Sequence, residues 1–334
     1  MATADSTRVV VAALGANGLI AIAKFVAAFF TGSAATLAEA VHSVADTGNQ
    51  ALLLLGIKRG AKPPSDLHPF GYGGEKFFWA FIVSIMLFTV GGAFAIYEGV
   101  HKMHEVLSGT HHATGGNPLW NFGVLGVATV VESYSCWVAL KEFNKARGTT
   151  PLFTALKQSR DPVVPTVLLE DFAALFGLVL ALLSAVLTYF THILWLDGFF
   201  SILIGILLCG VAVFAGRETH SLIVGEAATA KDLENVKTTI EGTPGVESVT
   251  QLLSRHLGPD DCLFAMKARF DPKLSLADVE KAIDTAESKA RSALPHMKHA
   301  FIYIEPDSDW KPGAESSRAA MIERESAKTD ESGG

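Results

Sequence analysis

Six stretches of this chain, at about 9–30, 34–57, 77–99, 117–140, 163–189 and 193–215, are long and apolar enough to cross a bilayer. A crossing helix needs about 20 mostly apolar residues, because in lipid only the helix itself can satisfy the backbone polar groups. Such runs exclude an ordinary water-soluble fold up to about residue 225. After that point the sequence turns polar. We therefore expect an α-helical membrane protein with a six-helix transmembrane domain over 1–225, a soluble domain over 226–306 and a tail over 307–334. The tail is small, polar and charged, a composition that predicts disorder. Charged residues are 18% of the 334, below the usual quarter, as lipid-facing helices require.

Lys and Arg in the short loops set the orientation. The loop after the second run carries Lys58, Arg59, Lys62 and Lys76, and the loop after the fourth carries Lys141, Lys145, Arg147, Lys157 and Arg160. The intervening loops hold almost none, with Lys102 the exception. Both termini, and the soluble domain with them, are expected in the cytoplasm. The N-terminal "MATADSTR" makes a poor leader peptide, so the expected home is a bacterial inner membrane.

The soluble part reads helix–strand–strand–helix–strand. "AKDLENVKTTIEG" is an amphipathic helix that stops at Gly242; "VESVTQLLSRHLG" and "CLFAMKARFD" alternate as paired strands do. "SLADVEKAIDTAESKARSAL" follows with Ser275 as N-cap, and "HAFIYIEP" closes the domain. The order suggests a ferredoxin-like α+β unit with helices on an antiparallel sheet.

Composition removes several function classes. The net charge of −7 offers nothing to nucleic acid. Cys136, Cys209 and Cys262 are far apart and form neither a disulfide framework nor a thiolate metal site. No HExxH, nucleophile motif or cofactor fingerprint is present, so no enzyme is expected.

What remains is charge inside apolar helices. In "AEAVHSVADTGNQ", Glu39, His42, Asp46 and Asn49 are spaced by three or four residues and share one helix face. The fifth run holds Glu170 and Asp171, which point about 100° apart on a helix. A charge at mid-bilayer is unfavourable by about 2.5–3.5 kcal/mol on insertion scales. These groups must face one another, a cavity or an ion. An ion pair of His42 with Asp46 leaves Glu170 and Asp171 without a cation unless Lys24 reaches them. A divalent cation satisfies all of them, and imidazole with carboxylates suits zinc.

"GSAATLAEAVHSVADTGNQ", "HPFGYGGEKFFW" and "SRDPVVPTVLLEDFAALFGLVLA" occur in that order, and together they resemble the cation diffusion facilitators, most of all their zinc transporter 9 branch. The resemblance covers about residues 8–306. It implies six spans, a cytoplasmic ferredoxin-like domain, a homodimer, and exchange of divalent metal for protons. It also implies metal ligands at His42, Asp46 and Asp171. The fourth family ligand falls on Val167, whose side chain cannot bind metal. Glu170, Asn49 or water could supply it; Glu170 is favoured, although it needs a small rotation or a π-bulge to turn inward. Zinc is the expected substrate, with manganese and iron beside it. A non-transporting membrane metal sensor or scaffold is the alternative class.

Other family positions are altered. Asp66 and His68 remain from an accessory metal site, but Tyr72 replaces a His and Gly74 a basic residue, so these two are expected to shape the loop. Tyr303 stands where the soluble domain often has a metal-binding His, with Glu305 two residues on, Asp278 falls near another ligand position, and His256 and His296 have no convincing spacing; dimerisation is the expected role. His101, His104, His111 and His112 are expected on or near an external loop, Glu98 at the interface, Glu132 in a helix–helix hydrogen bond, and Asp197 in an external turn.

Overall fold

The computed structural model describes residues 6–31, 34–109, 118–191 and 193–307; the side chains at 27, 28, 30, 31, 34–42, 118–122 and 124 lie outside that description. The tail from 308 is outside it too. The chain divides between Val224 and Gly225 into two compact units.

The first unit is helical. α1 (Ser6–Thr31), α2 (Ala34–Gly60), α5 (Pro118–Arg147), α7 (Val163–Thr191) and α8 (Trp195–Val224) are single long helices. A further long helix is built from α3 (Glu75–Met86), a π-helical segment (Leu87–Ala93) and α4 (Phe94–Leu107). Among the described residues, four stretches are long and apolar enough to cross a membrane: Ser6–Val26, Glu75–Leu107, Val163–Thr191 and Trp195–Val224. α2 and α5 carry the polar residues that lower their hydropathy.

The unit is turned inside out relative to a soluble bundle. Large apolar side chains such as Leu19, Ile22, Val130, Phe176, Val179 and Ile206 are exposed, whereas Asn49, Gln50, Glu132, Ser135, Glu170 and Asp171 are buried. An apolar exterior of this extent is what a lipid environment accommodates.

The helices start and stop for local reasons. Asp161 precedes α7, accepts the Val163 N–H and the Ser6 hydroxyl, and lies 3.9 Å from the Lys76 ammonium. Pro162 follows it at a position where a helix needs no N–H donor. The third long helix runs on to Leu107, eight residues past the expected end. Lys102, between Glu98 and Asp197 at 3.2 Å from each, ties it to the first turn of α8. His101 and His104 are therefore helical and not loop residues; His111 and His112 lie outside the described residues. A short helix, α6 (Leu152–Gln158), occupies the loop before α7.

The second unit contains α9 (Ala230–Glu241), β1 (Val246–His256), β2 (Asp261–Phe270), α10 (Leu276–Ser292) and β3 (His299–Pro306). β1 and β2 form an antiparallel pair, with Arg255 opposite Leu263 and Leu253 opposite Ala265. β3 runs parallel to β2 on its other side, so the sheet is mixed, not antiparallel as expected. The reason is connectivity: α10 returns the chain to the end of the sheet where β2 began, and a helical crossover joins parallel strands. Cys262, Phe264, Met266 and Ala268 of β2 face a core completed by Val236 and Ile240 of α9 and Ala286 and Ala290 of α10. On the opposite face, Leu253, Ala265 and Tyr303 form a row across the three strands.

Candidate metal centre

The polar interior of the first unit is made where α2, α5 and α7 meet. α2 presents Asp46, Asn49 and Gln50 within little more than one turn. The Asn49 amide donates to Glu170 Oε1 at 3.0 Å, and the Gln50 amide donates to Glu170 Oε2 at 2.8 Å. Both carboxylate oxygens of Glu170 are thus engaged by α2. α5 contributes Ser135, whose hydroxyl donates to Asp171 Oδ2 at 2.8 Å. Glu132 lies three residues earlier on α5, on the same helix face, and is 4% exposed.

The carboxylates lie within each other's electrostatic reach. Asp46 acts on both Glu132 and Glu170, and Glu132 acts on Asp171. Lys24 of α1 is a cation that acts on Glu132. Three further oxygens complete the picture. Asp171 Oδ1, Asn49 Oδ1 and Gln50 Oε1 are buried acceptors with no hydrogen-bond donor among the described residues. Buried acceptors are usually satisfied by a protein donor or by water, so these three mark the most polar part of the helical interior.

Asp46, Asn49, Glu170 and Asp171 are brought together across α2 and α7. Residues 39 and 42 belong to α2, but the side chains of Glu39 and His42 lie outside the described set. Among the described residues, no three His, Cys, Asp or Glu side chains converge closely enough to hold one ion. Val167 is fully buried beside Val163, Val164 and Leu168. It belongs to the apolar core, and no ligand arises there. α7 is α-helical throughout, with no π-bulge near Glu170; the π segment lies in the third long helix instead. Glu170 needs no bulge because the face it presents is the one that meets Asn49 and Gln50.

Two participants, Gln50 and Ser135, are absent from the sequence-based set. Gln50 was legible as an amide in an apolar helix directly after Asn49. Ser135 was legible in "VESYSCW" as a hydroxyl three residues after Glu132. Glu132 itself is buried in α5.

The remaining candidates are held by their neighbours. His68 and Ser65 exchange backbone hydrogen bonds, Ser65 Oγ lies 3.0 Å from the Tyr72 hydroxyl, and the His68 and Tyr72 rings are 4.4 Å apart. Tyr72 thus packs the loop where the resemblance places a His. In the second unit His296 lies 3.3 Å from Asp232 and His299 2.7 Å from Asp261. His256 is buried, with Nδ1 3.2 Å from the Gly258 carbonyl.

A family model described as the cation efflux transmembrane domain matches residues 10–224, and one described as the cation efflux protein cytoplasmic domain matches residues 228–307. The chain is similar to the mitochondrial proton-coupled zinc antiporter SLC30A9, with 29% identity over 270 residues in Mus musculus and 30% over 269 in Xenopus laevis. These alignments cover 80% of this chain and 46% and 47% of those relatives. It is also 31% identical over 268 residues to metal tolerance protein C4 of Arabidopsis thaliana, covering 80% of this chain and 57% of that one. The chain spans about half the length of the antiporters it matches.

Proposed function

This chain belongs to the cation efflux family, the cation diffusion facilitators, and from that membership we propose that it is a secondary transporter exporting divalent cations, zinc foremost, from the cytoplasm in exchange for protons. Membership makes it a carrier rather than an enzyme. The observation that carries the reading is the set of buried acceptor oxygens on α2 and α7, Asn49 Oδ1, Gln50 Oε1 and Asp171 Oδ1. The names of the antiporter relatives support zinc as substrate and protons as counter-ion.

In this proposal His42, Asp46 and Asp171 bind the metal. Glu170, tied by Asn49 and Gln50, fixes α2 against α7, and Asp66 and His68 shape their loop. The six long helices are six spans, both termini are cytoplasmic, and the bundle rocks between inward-facing and outward-facing states with the site near its middle. Outside, protons compete for His42 and a carboxylate and release the metal. The second unit, read as ferredoxin-like, dimerises the carrier; the exposed Leu253 and Tyr303 on its uncovered sheet face support this. The membrane we assign is a bacterial inner membrane; the antiporter relatives are named as mitochondrial, and fractionation of the producing cells decides between them.

Selectivity is tested on the purified full-length chain by competing zinc against manganese, iron and cadmium. Zinc is expected to bind most tightly, with Asp46→Ala and Asp171→Ala each weakening it by about tenfold or more. Equal binding of manganese, or zinc binding unaffected by both variants, overturns the assignment.

A further inference from the structure

We propose that Asp161 is a positioning residue for transport: its carboxylate latches the starts of α1, α3 and α7 together and so holds one end of the helical unit closed over the acids inside it. The inference rests on the transport reading above, and in the proposed orientation that end faces the cytoplasm. Asp161 Oδ1 accepts the Val163 N–H at 3.0 Å, Oδ2 accepts the Ser6 hydroxyl at 2.7 Å, and the same Oδ2 lies 3.9 Å from the Lys76 ammonium. Val163 and Ser6 are the first residues of α7 and α1, and Lys76 is the second of α3. Three helix starts therefore meet at one negative charge, which their positive dipole ends favour. A cap for α7 needs just the bond to Val163; the other two contacts join separate helices.

What the latch closes is an apolar plug. Val10 of α1, Leu53 of α2, Val83 of α3, Ala139 of α5, and Val163 and Val167 of α7 are each 0% exposed and belong to one cluster. Along α7 these residues lie between Asp161 and the acids Glu170 and Asp171; along α2 and α5 they follow Gln50 and Ser135. A charged substrate does not cross close-packed apolar side chains unless the helices that carry them separate. Separating α7 from α1 or from α3 stretches a contact of Asp161. Asp171 lies about 12 Å along the same unbroken helix from Val163, so fixing the start of α7 also fixes where Asp171 sits. The Lys76 and Asp161 side chains are 16% and 28% exposed, so water can take the place of their pairing when the helices part. A second carboxylate lies at this end: buried Glu142 of α5 is 3.9 Å from Arg8 of α1 and 2.6 Å from Lys145. It leaves α1 tied to α5 when Asp161 is removed, so the change falls on α3 and α7.

The test uses Cys136, a residue of the plug that is 5% exposed, as reporter. In the full chain carrying Cys209→Ala and Cys262→Ala, in detergent, the rate at which a maleimide labels Cys136 reads how often the plug opens. Asp161→Asn keeps the size and an acceptor for the Val163 N–H but removes the charge; Asp161→Ala removes every side-chain contact. Both are expected to label faster, Asp161→Ala by roughly tenfold, as for loss of a charge-assisted hydrogen bond. Ser6→Ala and Lys76→Gln are expected to act in the same direction. Gly205→Val loosens the contact of α4 with α8 instead, and is expected to label at the unaltered rate. Labelling unchanged in all the variants of Asp161, Ser6 and Lys76, or raised as much by Gly205→Val, overturns the latch; Asp161 is then a cap on α7, and the transport reading stands. If zinc uptake into liposomes runs at the full rate in Asp46→Asn and Asp171→Asn, the transport reading falls, and the part of Asp161 in transport with it. Should Asp161→Ala not fold, Ser6→Ala and Lys76→Gln, which each remove one partner, decide the outcome.

Discussion

Glu170 accepts hydrogen bonds at both carboxylate oxygens, from the side-chain amides of Asn49 and Gln50, and its neighbour Asp171 accepts one, from Ser135. Adjacent residues on a helix diverge by about 100°, so the two acids meet different helices. In the proposed carrier Glu170 clamps α2 to α7 and Asp171 binds the metal. Removing a donor from a buried acceptor leaves it unsatisfied, at about 1–3 kcal/mol. Gln50→Leu is therefore expected to lower the thermal unfolding midpoint of the detergent-solubilised protein, and Asn49→Ala to do the same. A midpoint unchanged by both would contradict the clamp. In the soluble domain, the Ser275 hydroxyl donates to Asp278 at 2.6 Å and holds that carboxyl below its ordinary value, helped by the Ser275 backbone and by Lys281. A lowered folded-state value means that the stabilisation is full above the ordinary aspartate value of about 3.9 and is lost as the pH falls through the lower, folded-state one. Ser275→Ala is expected to return Asp278 to the ordinary range in a carboxyl NMR titration.

At the scale of elements, α4 and α8 approach closely because glycine lines their contact. A Cβ placed on Gly205 would lie 2.6 Å from Ile96 Cγ1 and 2.7 Å from the Gly92 carbonyl, and one on Gly99 would lie 2.6 Å from the Gly198 carbonyl. Small residues permit such approaches between membrane helices. Gly205→Val must push the helices apart and is expected to destabilise the bundle by about 1–3 kcal/mol, the usual effect of overpacking, measurable as a lower unfolding midpoint. That contact was not legible in the sequence, where glycines in apolar helices carry no address. The helices themselves were legible from hydropathy, because length and apolarity are local properties. β3 was legible as a strand at 299–306 but not as a parallel neighbour of β2, since pairing direction depends on how α10 carries the chain across. At the site, Asp46 and Asp171 stood out as charges among apolar residues. Ser135 did not, since its partner Asp171 lies 36 residues after it, and sequence spacing alone cannot reveal that meeting.

For the whole molecule, the division at Val224 and Gly225 separates a unit with apolar residues outside and acids inside from a unit with an ordinary apolar core. The first arrangement is stable in lipid and suits passage of a charged substrate; the second suits water and association through an exposed sheet face. The central claim is that metal crosses the membrane against protons through the acids of α2 and α7. It is tested most directly by reconstituting the full chain in liposomes with an acidic interior and a zinc indicator inside. Each pH unit is worth about 1.4 kcal/mol per proton, so exchange of two protons can sustain a zinc gradient of roughly a hundredfold. Zinc is predicted to enter only while the pH gradient lasts, and to stop entering in Asp46→Asn and Asp171→Asn. Uptake that ignores the gradient, or that persists at full rate in both variants, would contradict the account.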